Sequence, residues 1–264
     1  MCGIAGYSLS RDSRVDRTLA AQALLAGIAE RGADAVGYAY RGAGEAPVAV
    51  HKQQSGASAL LEQISVPDGV TQALVHVRDY TKGHPTIAAN NHPVRHGAVV
   101  GIHNGIILND DDLFEHHRFE RWEPEMTVDS EAIFALVDAF GAQREALEQL
   151  RGALATAWLD ERRPDFVFIA RGVGRPLWLG HGRHELFFAS TKAALEVVER
   201  TLGLKLRKRE IPEGAVAIVE EGSVVARKRF ATHPYVEDDP LPAVRAPHEA
   251  VAAMQVLAAL FAAA

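Results

Sequence analysis

The first seven residues of the chain are Met1-Cys2-Gly3-Ile4-Ala5-Gly6-Tyr7. Cys2 is the only cysteine, and its small side chain favours removal of Met1, which would leave one residue with both a thiol and a free α-amino group. A thiol attacks only as the thiolate and has a pKa of ~8.5. A terminal amine titrates at ~7.7 to 8.0, so near neutral pH it can accept the thiol proton. This pairing indicates a nucleophile and its base on one residue; the alternative for a lone cysteine is a small buried hydrophobic side chain.

The composition around this stretch is that of an ordinary globular protein. The chain has 264 residues, of which 48% are hydrophobic and 23% charged, so it can bury a substantial core. A net charge of −6 and a pI near 6.1 argue against nucleic acid as the main partner. With a single cysteine and no apolar stretch near the N-terminus, we expect no disulfide framework, no signal peptide and a cytoplasmic location.

Hydrophobic periodicity and turn signals predict many strands and fewer helices. The predicted strands are 4–8, 37–40, 47–52, 74–77, 98–103, 153–160, 166–171, 176–179, 186–190 and 215–219. Two helices are predicted from their caps: one begins at Asp12 or Ser13 and ends at 31–32, and the other begins at Asp129 and Ser130. Three more are predicted at 57–64, 143–150 and 192–200. A glycine-rich turn is predicted at 41–44. This order suggests an α+β fold with two packed antiparallel sheets flanked by helices.

The last 33 residues differ from the rest of the chain in composition. Residues 232–247 contain four prolines and are predicted to be a linker or a segment that follows the surface. Residues 248–264 are alanine-rich and are predicted to form a helix. Its apolar stretch is shorter than the ~20 residues that a membrane span needs, so we expect docking on the body or on a second copy, with a weak membrane anchor as the minor alternative.

Six short motifs follow one another in order along the chain. They are Met1-Cys2-Gly3-Ile4, Arg31-Gly32-Ala33-Asp34, Val77-Arg78 with Thr81 and Gly83, Asn91-His92-Pro93, His103-Asn104-Gly105-Ile106 and Val128-Asp129-Ser130-Glu131. Together they resemble the class II glutamine amidotransferase domain, the N-terminal-nucleophile glutaminase of glucosamine-6-phosphate synthase and its relatives. The resemblance implies a four-layer αββα sandwich in a stand-alone form. The resemblance covers roughly residues 2–219. Together with the composition of the tail, it predicts a glutaminase domain (2–231), a linker (232–247) and a C-terminal helix (248–264).

The resemblance assigns the catalytic roles to three residues. Cys2 would attack the side-chain amide of glutamine, and the negative charge that develops on the amide oxygen would be held by the Asn104 side chain and the Gly105 backbone amide. Two such donors can stabilise that charge by roughly 3 to 4 kcal/mol each. The alternative is that Asn-Gly after a strand forms a short hairpin turn, and both can hold together.

Glutamine is also a free amino acid, and the resemblance supplies groups for its head. A guanidinium suits the α-carboxylate, which implies Arg78 with help from the Thr81 hydroxyl. A fixed carboxylate suits the α-ammonium, which implies Asp129 at a predicted helix start. Arg31 and His92 are expected near the substrate as well. The alternatives are a surface salt bridge for Arg78 and a helix N-cap for Asp129.

The predicted substrate loop departs from the family pattern. The glucosamine-synthase branch reads Arg-Trp-Ala-Thr-His-Gly where this chain has Arg78-Asp79-Tyr80-Thr81-Lys82-Gly83. Asp79 thus replaces the aromatic side chain that shields the amide, and Lys82 replaces a histidine while keeping a possible donor. The way in which this loop closes is therefore left open by the sequence.

The twelve histidines and 22 glycines raise the question of a metal or phosphate site. None of the histidines has a zinc-binding spacing or a His-Glu-x-x-His pattern, and no glycine loop has the Lys-Ser/Thr ending of a phosphate cradle. We expect neither a metal nor a cofactor.

These observations predict a cytosolic glutamine amidotransferase that hydrolyses L-glutamine through a thioester on Cys2. The expected partner is a separate synthase subunit that takes the ammonia; no nucleic acid or membrane partner is expected, and a homo-oligomer is possible. Two alternatives remain open. One is an amidohydrolase of the same fold that acts on a γ-glutamyl or other acyl amide, and the other is a non-catalytic regulatory subunit that binds glutamine.

Overall fold

The computed structural model describes residues 2–41, 47–237 and 242–263. Most of the turn predicted at 41–44, together with Met1 and Pro240, lies outside the described residues. Within the described ranges, runs of strands are separated by helices, in the order that the hydrophobic pattern predicts for an α+β protein.

One sheet has seven antiparallel strands in the order β11-β9-β10-β1-β4-β2-β3. They are β1 (Gly3–Leu9), β2 (Ala35–Arg41), β3 (Val48–Gln53), β4 (Gln72–Arg78), β9 (Trp178–His181), β10 (Glu185–Ala189) and β11 (Arg207–Glu210). β1 lies in the middle, paired with β10 and β4, so the chain start is held in the centre of the sheet.

The second sheet has six antiparallel strands in the order β13-β12-β8-β7-β6-β5. They are β5 (Val94–His96), β6 (Val99–Ile107), β7 (Gly152–Asp160), β8 (Phe166–Arg171), β12 (Ala215–Glu220) and β13 (Ser223–Arg229). The two sheets pack face to face, and their shared core contains Ile4 and Leu74 of the first sheet against Val100 and Ile102 of the second.

Seven α-helices cover the outer faces of the sheets in the described chain. They are α1 (Arg17–Ile28), α2 (Ala57–Leu61), α3 (Asp110–His117), α4 (Glu131–Phe140), α5 (Arg144–Leu147), α6 (Lys192–Leu202) and α7 (Pro247–Ala263). Helices α1, α2, α6 and α7 pack on the first sheet, and α3, α4 and α5 pack on the second. The predicted four-layer αββα sandwich is confirmed.

The side-chain alternation of β1 shows why the sequence folds this way. Successive side chains of a strand point to opposite faces: Ala5 and Tyr7 enter the core beneath the helices, and Ile4 enters the core between the sheets. Gly6 faces the core between the two sheets, where an added Cβ would come within 2.5 Å of Phe188 Cζ. Because both faces of this strand are buried, its sequence is almost entirely apolar, and its one hydroxyl-bearing aliphatic residue, Ser8, accepts a hydrogen bond from Gly222 N.

Several predicted boundaries were wrong, each for a physical reason. Asp12 or Ser13 was expected to cap the first helix, but Asp16 does so, with its Oδ1 accepting from Leu19 N at 2.8 Å. The Ser13 hydroxyl instead donates to Glu185 Oε1 at 2.7 Å. The helix predicted at 143–150 is only the single turn of α5.

Three strands were missed by the sequence analysis. They are β5, β11 and β13, each at the edge of a sheet. β11 consists of Arg-Lys-Arg-Glu, and β13 is mostly exposed, so neither carries the apolar pattern on which the prediction of a strand depends. Only the pairing with a neighbouring strand makes these segments strands.

The C-terminal helix docks on the body of the same chain, which was one of the two docking modes expected for it. Ala253 and Leu257 of α7 are buried in the same core as α1 and α2. Glu249 Oε2 accepts from Ser58 N at 2.9 Å, so it satisfies a free amide in the first turn of α2, whose own N-cap residue is a glycine. No helix in the described part of the chain is long and apolar enough to cross a membrane.

Candidate active site

Cys2 lies immediately before β1, at the end of the central strand of the first sheet. Its Sγ donates to the carbonyl oxygen of Asp79 at 3.5 Å. Burial raises the pKa of the Cys2 thiol, while the nearby charge of Arg78 acts in the opposite direction. A thiol with a raised pKa depends on a neighbouring base to become a nucleophile.

Arg31 lies against the backbone of this nucleophile. Its Nε donates to the Cys2 carbonyl oxygen at 3.4 Å, and the side chain is buried. Its stem is also close to Gly3, where an added Cβ would come within 3.0 Å of Arg31 Cγ and 2.8 Å of Val77 Cγ2. A glycine at this position lets the arginine reach the chain start, so Arg31 is placed to fix the position of Cys2.

Two clefts meet at Cys2. The first, of about 230 Å³, brings together residues that are far apart in the sequence: Cys2, Arg78, Tyr80, Thr81, Lys82, His92, His103, Gly105, Val128, Asp129 and Ser130. The second, of about 380 Å³, shares Cys2, Thr81 and Gly105 with it and extends to Asp79, Asn104, Ile106, Arg175, Tyr235 and Glu237. We call them the head-group cleft and the tail-side cleft. Between them they gather seven of the eight predicted site residues, and the eighth is Arg31.

Arg78 ends β4 and is 2% exposed, which contradicts the alternative of a surface salt bridge. Its Nη1 donates to Asn91 Oδ1 at 2.6 Å, and its Nη2 donates to the carbonyl oxygens of Lys82 (at 2.9 Å) and Gly83. The guanidinium therefore holds the substrate loop in place by hydrogen bonds to its backbone, and it also lines the head-group cleft. A buried cation in this position offers a carboxylate a strong electrostatic partner.

Asp129 lies across the same cleft and is 3% exposed. The alternative of a helix N-cap is wrong, since Ser130 is the N-cap residue of α4 and Asp129 Oδ2 instead accepts from Ile107 N at 2.6 Å. Burial raises the pKa of Asp129 to about 6. At neutral pH the group is mostly ionised and can hold a cation.

Asn104 and Gly105 lie within β6, opposite Ala155 and Leu154 of β7, so the hairpin-turn alternative is wrong. The Asn104 side chain is fully buried, and neither its Nδ2 nor its Oδ1 has a hydrogen-bond partner among the described residues. Leaving such an amide unsatisfied costs about 1 to 3 kcal/mol, so a ligand that bonds to it recovers that cost. Gly105 has φ +151°, a conformation that favours glycine, and lines both clefts.

Three neutral histidines lie beneath the clefts. His103 Nε2 donates to the Ala153 carbonyl oxygen at 3.2 Å, so its Nδ1 accepts from the Ser130 hydroxyl at 2.8 Å. Burial lowers the pKa of His103 to about 4 and that of His76 to about 3. His92 stacks on His76 at 4.2 Å between ring centroids, and burial lowers its pKa as well. None of these rings adds positive charge to the site at neutral pH.

Lys82 lines the head-group cleft, and its ammonium group is paired with the start of helix α3. Its Nζ lies 2.6 Å from Asp110 Oδ2 and 2.8 Å from Asp111 Oδ2, both in the first turn of that helix. Arg121 contacts the same two carboxylates at 3.4 and 3.1 Å. The substrate loop is thus tethered to α3 by its lysine.

The sequence analysis missed the wall of the tail-side cleft. Arg175 follows β8 in a turn, and Tyr235 and Glu237 come from the segment that was predicted to be a linker or to follow the surface. No periodicity marks any of the three. Only the position of the tail in the folded chain could reveal them.

Among the described residues, no group of three or more His, Cys, Asp or Glu side chains is arranged to hold a metal ion.

Comparison with known proteins places this geometry in context. Residues 81–197 match a family described as a glutamine amidotransferase domain. The chain is 31% identical over 246 residues to a glutamine–fructose-6-phosphate aminotransferase of Chlorobaculum tepidum, covering 86% of this chain and 37% of that protein. It is 34% identical over 219 residues to the enzyme of the same name from Escherichia coli K12, covering 76% of this chain and 33% of that protein. The chain thus spans about a third of the length of these relatives.

Solved structures share the fold. A glutamine phosphoribosylpyrophosphate amidotransferase from B. subtilis superposes with a TM-score of 0.68 at 20% identity, covering 88% of this chain and 50% of that one. A class-II glutamine aminotransferase domain protein from Silicibacter pomeroyi superposes with a TM-score of 0.57 at 16% identity, covering 87% of this chain and all of that one. At these identities the likeness concerns the fold alone.

Proposed function

The chain contains a class II glutamine amidotransferase domain of the cysteine amidohydrolase type, and from this premise we propose that it hydrolyses the side-chain amide of L-glutamine to glutamate and ammonia. The observation that carries the proposal is the convergence of Cys2, Arg78 and Asp129 on one small cleft. A nucleophile, a cation and an anion in that arrangement match an amino acid whose side chain is to be cleaved.

The head group of glutamine would bind in the head-group cleft. Arg78 would pair with the α-carboxylate and Asp129 with the α-ammonium, with the Thr81 hydroxyl as an additional donor to the carboxylate. Arg78 lies at the end of β4 and Asp129 just before α4. A ligand with only an α-carboxylate or only an α-ammonium group would therefore form one of these two ion pairs and lose the other. His92 would contribute a neutral wall.

The chemical step would begin at Cys2 after removal of Met1. The thiol proton passes to the α-amino group, and the thiolate sulfur attacks the side-chain amide carbon of glutamine. The amide oxygen becomes an oxyanion that accepts from Asn104 Nδ2 and the Gly105 N–H. The α-amino group returns its proton to the departing nitrogen, the C–N bond breaks, and ammonia leaves a γ-glutamyl thioester.

Water would complete the cycle. It attacks the thioester carbon with the α-amino group as base, the C–S bond breaks, and glutamate leaves with the thiol restored. We propose that the ammonia passes to a synthase on a separate subunit, as the names of the curated relatives, which are aminotransferases, suggest a nitrogen acceptor. Since the thiol must stay reduced to act, the proposal places the enzyme in the reducing cytosol.

Intact mass spectrometry with a glutamine-like electrophile tests the proposal. The purified protein is weighed before and after 6-diazo-5-oxo-norleucine is added, with and without excess glutamine. We expect the mass of the chain without Met1 and one adduct on Cys2 that glutamine prevents.

The matched control is Cys2→Ala, which should take up no adduct and release no ammonia from glutamine. Retention of Met1, or a processed Cys2 that the electrophile does not modify, would contradict the proposal. Ammonia release by Cys2→Ala would contradict the role of the thiol. A Cys2→Ala protein that still supports the pathway in cells would favour a non-catalytic, glutamine-binding role.

A further inference from the structure

The tail-side cleft is larger than glutamine hydrolysis requires. When glutamine is cleaved, the group that leaves on the far side of the thiol is ammonia, which is about the size of a water molecule. The centres of water-sized molecules can occupy about 60 Å³ of the cleft that opens there, whereas a single water needs only roughly 10 to 15 Å³ on the same measure. Its floor holds the unpartnered Asn104 amide, and its wall holds Arg175, whose side chain is buried and whose Nε has no hydrogen-bond partner among the described residues.

The outer wall of this cleft is the chain's own C-terminal segment. Tyr235 and Glu237 are both partly buried, whereas Val236 between them is 84% exposed. This alternation is that of an extended segment with one face against the body. The Tyr235 ring lies over Gly174, where an added Cβ would come within 3.3 Å of it.

Ion pairs and hydrogen bonds hold the segment in place on both sides of the cleft. Arg175 Nη2 lies 2.9 Å from Glu237 Oε1, and the Arg175 side chain is 7% exposed. Arg245 Nε lies 3.0 Å from Asp79 Oδ2 in the substrate loop, and the Arg245 backbone N–H donates to the Glu30 carbonyl oxygen at 2.8 Å. Asp79 stands where the resembling family has a shielding aromatic side chain, so here the loop contacts the tail in place of that shield.

We propose that the tail-side cleft is a subsite for the amine half of a γ-glutamyl amide, with Tyr235 as the residue that sets the size of the leaving group. This rests on the proposed function, since the head-group cleft must first bind the glutamyl part. The ligand class follows from the lining: Tyr235 and Ile106 offer apolar surface, and both lining carboxylates are already paired, Glu237 with Arg175 and Asp79 with Arg245. An uncharged alkyl or aryl substituent on the amide nitrogen fits such a space better than a charged one.

The reaction keeps the same balance of atoms as the hydrolysis of glutamine. The Cys2 thiolate attacks the γ-carbonyl carbon, the α-amino group donates a proton to the substituted nitrogen, and the C–N bond breaks. A primary amine leaves in place of ammonia, and water then cleaves the C–S bond of the same thioester. No further reactant is required.

Substrate comparison in the full-length protein tests the proposal. We would measure kcat/KM for glutamine, γ-glutamyl methylamide and γ-glutamyl anilide in the wild type, Tyr235→Ala, Tyr235→Phe and Val236→Ala. We expect the methylamide to be cleaved within about 10-fold of glutamine, because a formed pocket discriminates only weakly over one methyl group. Tyr235→Ala should change the anilide-to-glutamine ratio by about 10-fold or more, whereas Tyr235→Phe, which keeps the ring, should not.

Val236→Ala is the matched control, since its side chain points away from the cleft, and it should leave the ratio at the wild-type value. Cleavage of glutamine alone, with the methylamide more than about 100-fold slower, would overturn the subsite but leave the proposed function intact. If the anilide-to-glutamine ratio of kcat/KM in Tyr235→Ala stays within about twofold of the wild-type ratio, Tyr235 does not set the size of the leaving group. If no amide at all is cleaved, glutamine included, both the proposed function and the subsite fail.

Discussion

At the scale of single residues, Asn104 gives the sharpest test, because its buried amide has no partner among the described residues. Asn104→Ala should lower kcat for glutamine by about 10²- to 10³-fold, the usual effect of removing one oxyanion donor. It should not lower the free energy of unfolding by more than about 1 kcal/mol, since no hydrogen bond is lost. Steady-state kinetics and urea unfolding measure the two quantities.

Asn109→Ala is the matched control for this substitution. Its side-chain amide is satisfied, with Nδ2 donating to the Gln149 carbonyl oxygen and Oδ1 accepting from Arg151 N, both at 2.9 Å. This variant should lose about 1 kcal/mol of stability and keep its kcat. If Asn104→Ala keeps its kcat as well, the amide is not an oxyanion donor.

The raised pKa of Asp129 leads us to expect that glutamine binding depends on pH. Its pKa is raised from 3.8 to about 6 by burial, so the carboxylate that would hold the α-ammonium is present above pH 6 and is lost as the pH falls below it. In Cys2→Ala, which binds without turnover, the Kd for glutamine measured by calorimetry should therefore rise about 10-fold per pH unit below 6. Asp129→Asn should bind weakly at every pH, and a Kd in Cys2→Ala that is constant from pH 7 to pH 5 would refute the role.

At the scale of secondary-structure elements, the sequence pattern and the structure differ in the residue that caps the N-terminus of α1. The structure assigns the cap to Asp16, whose Oδ1 accepts from Leu19 N at 2.8 Å, whereas the sequence pattern pointed to Asp12 or Ser13. Asp16→Ala should lower the free energy of unfolding by about 1 kcal/mol. Asp12→Ala should change it by less than about 0.5 kcal/mol, because that exposed residue caps no helix. Equal effects of the two in urea unfolding would contradict the assignment.

The same scale shows where sequence patterns carry information about elements and where they do not. The mainly apolar central strand β1 was predicted at 4–8 and lies at Gly3–Leu9, whereas β6 was predicted to end at His103 and continues to Ile107. Charged edge strands such as β11 were missed because their side chains face solvent and only the backbone pairs. Asn104-Gly105 has the composition of a turn, yet it lies inside β6, because the tertiary contacts of a central strand override local turn preference.

At the scale of the whole molecule, α7 is part of the body of the protein. Leu257 is 2% exposed in the core shared with α1 and α2, whereas Val251 on the same helix is 60% exposed. Leu257→Ala should lower the free energy of unfolding by about 2 to 5 kcal/mol, the usual cost of a buried leucine. Val251→Ala is the control and should stay within about 0.5 kcal/mol of wild type. If Leu257→Ala is as stable as the control in thermal and urea unfolding, the helix does not dock as described.

The sequence by itself determined the fold class and the identity of the chemical groups. A lone cysteine beside the chain start, apolar runs that form two sheets, and six ordered motifs are local properties that a linear pattern preserves. What only the tertiary structure decided is which groups meet. Arg78 and Asp129 share one cleft because the end of β4, in the first sheet, lies close to the start of α4, which packs on the second. Tyr235 shares a cleft with Cys2 because the tail folds back over that end of the molecule. Contacts between segments more than two hundred residues apart depend on packing, and no local pattern encodes them.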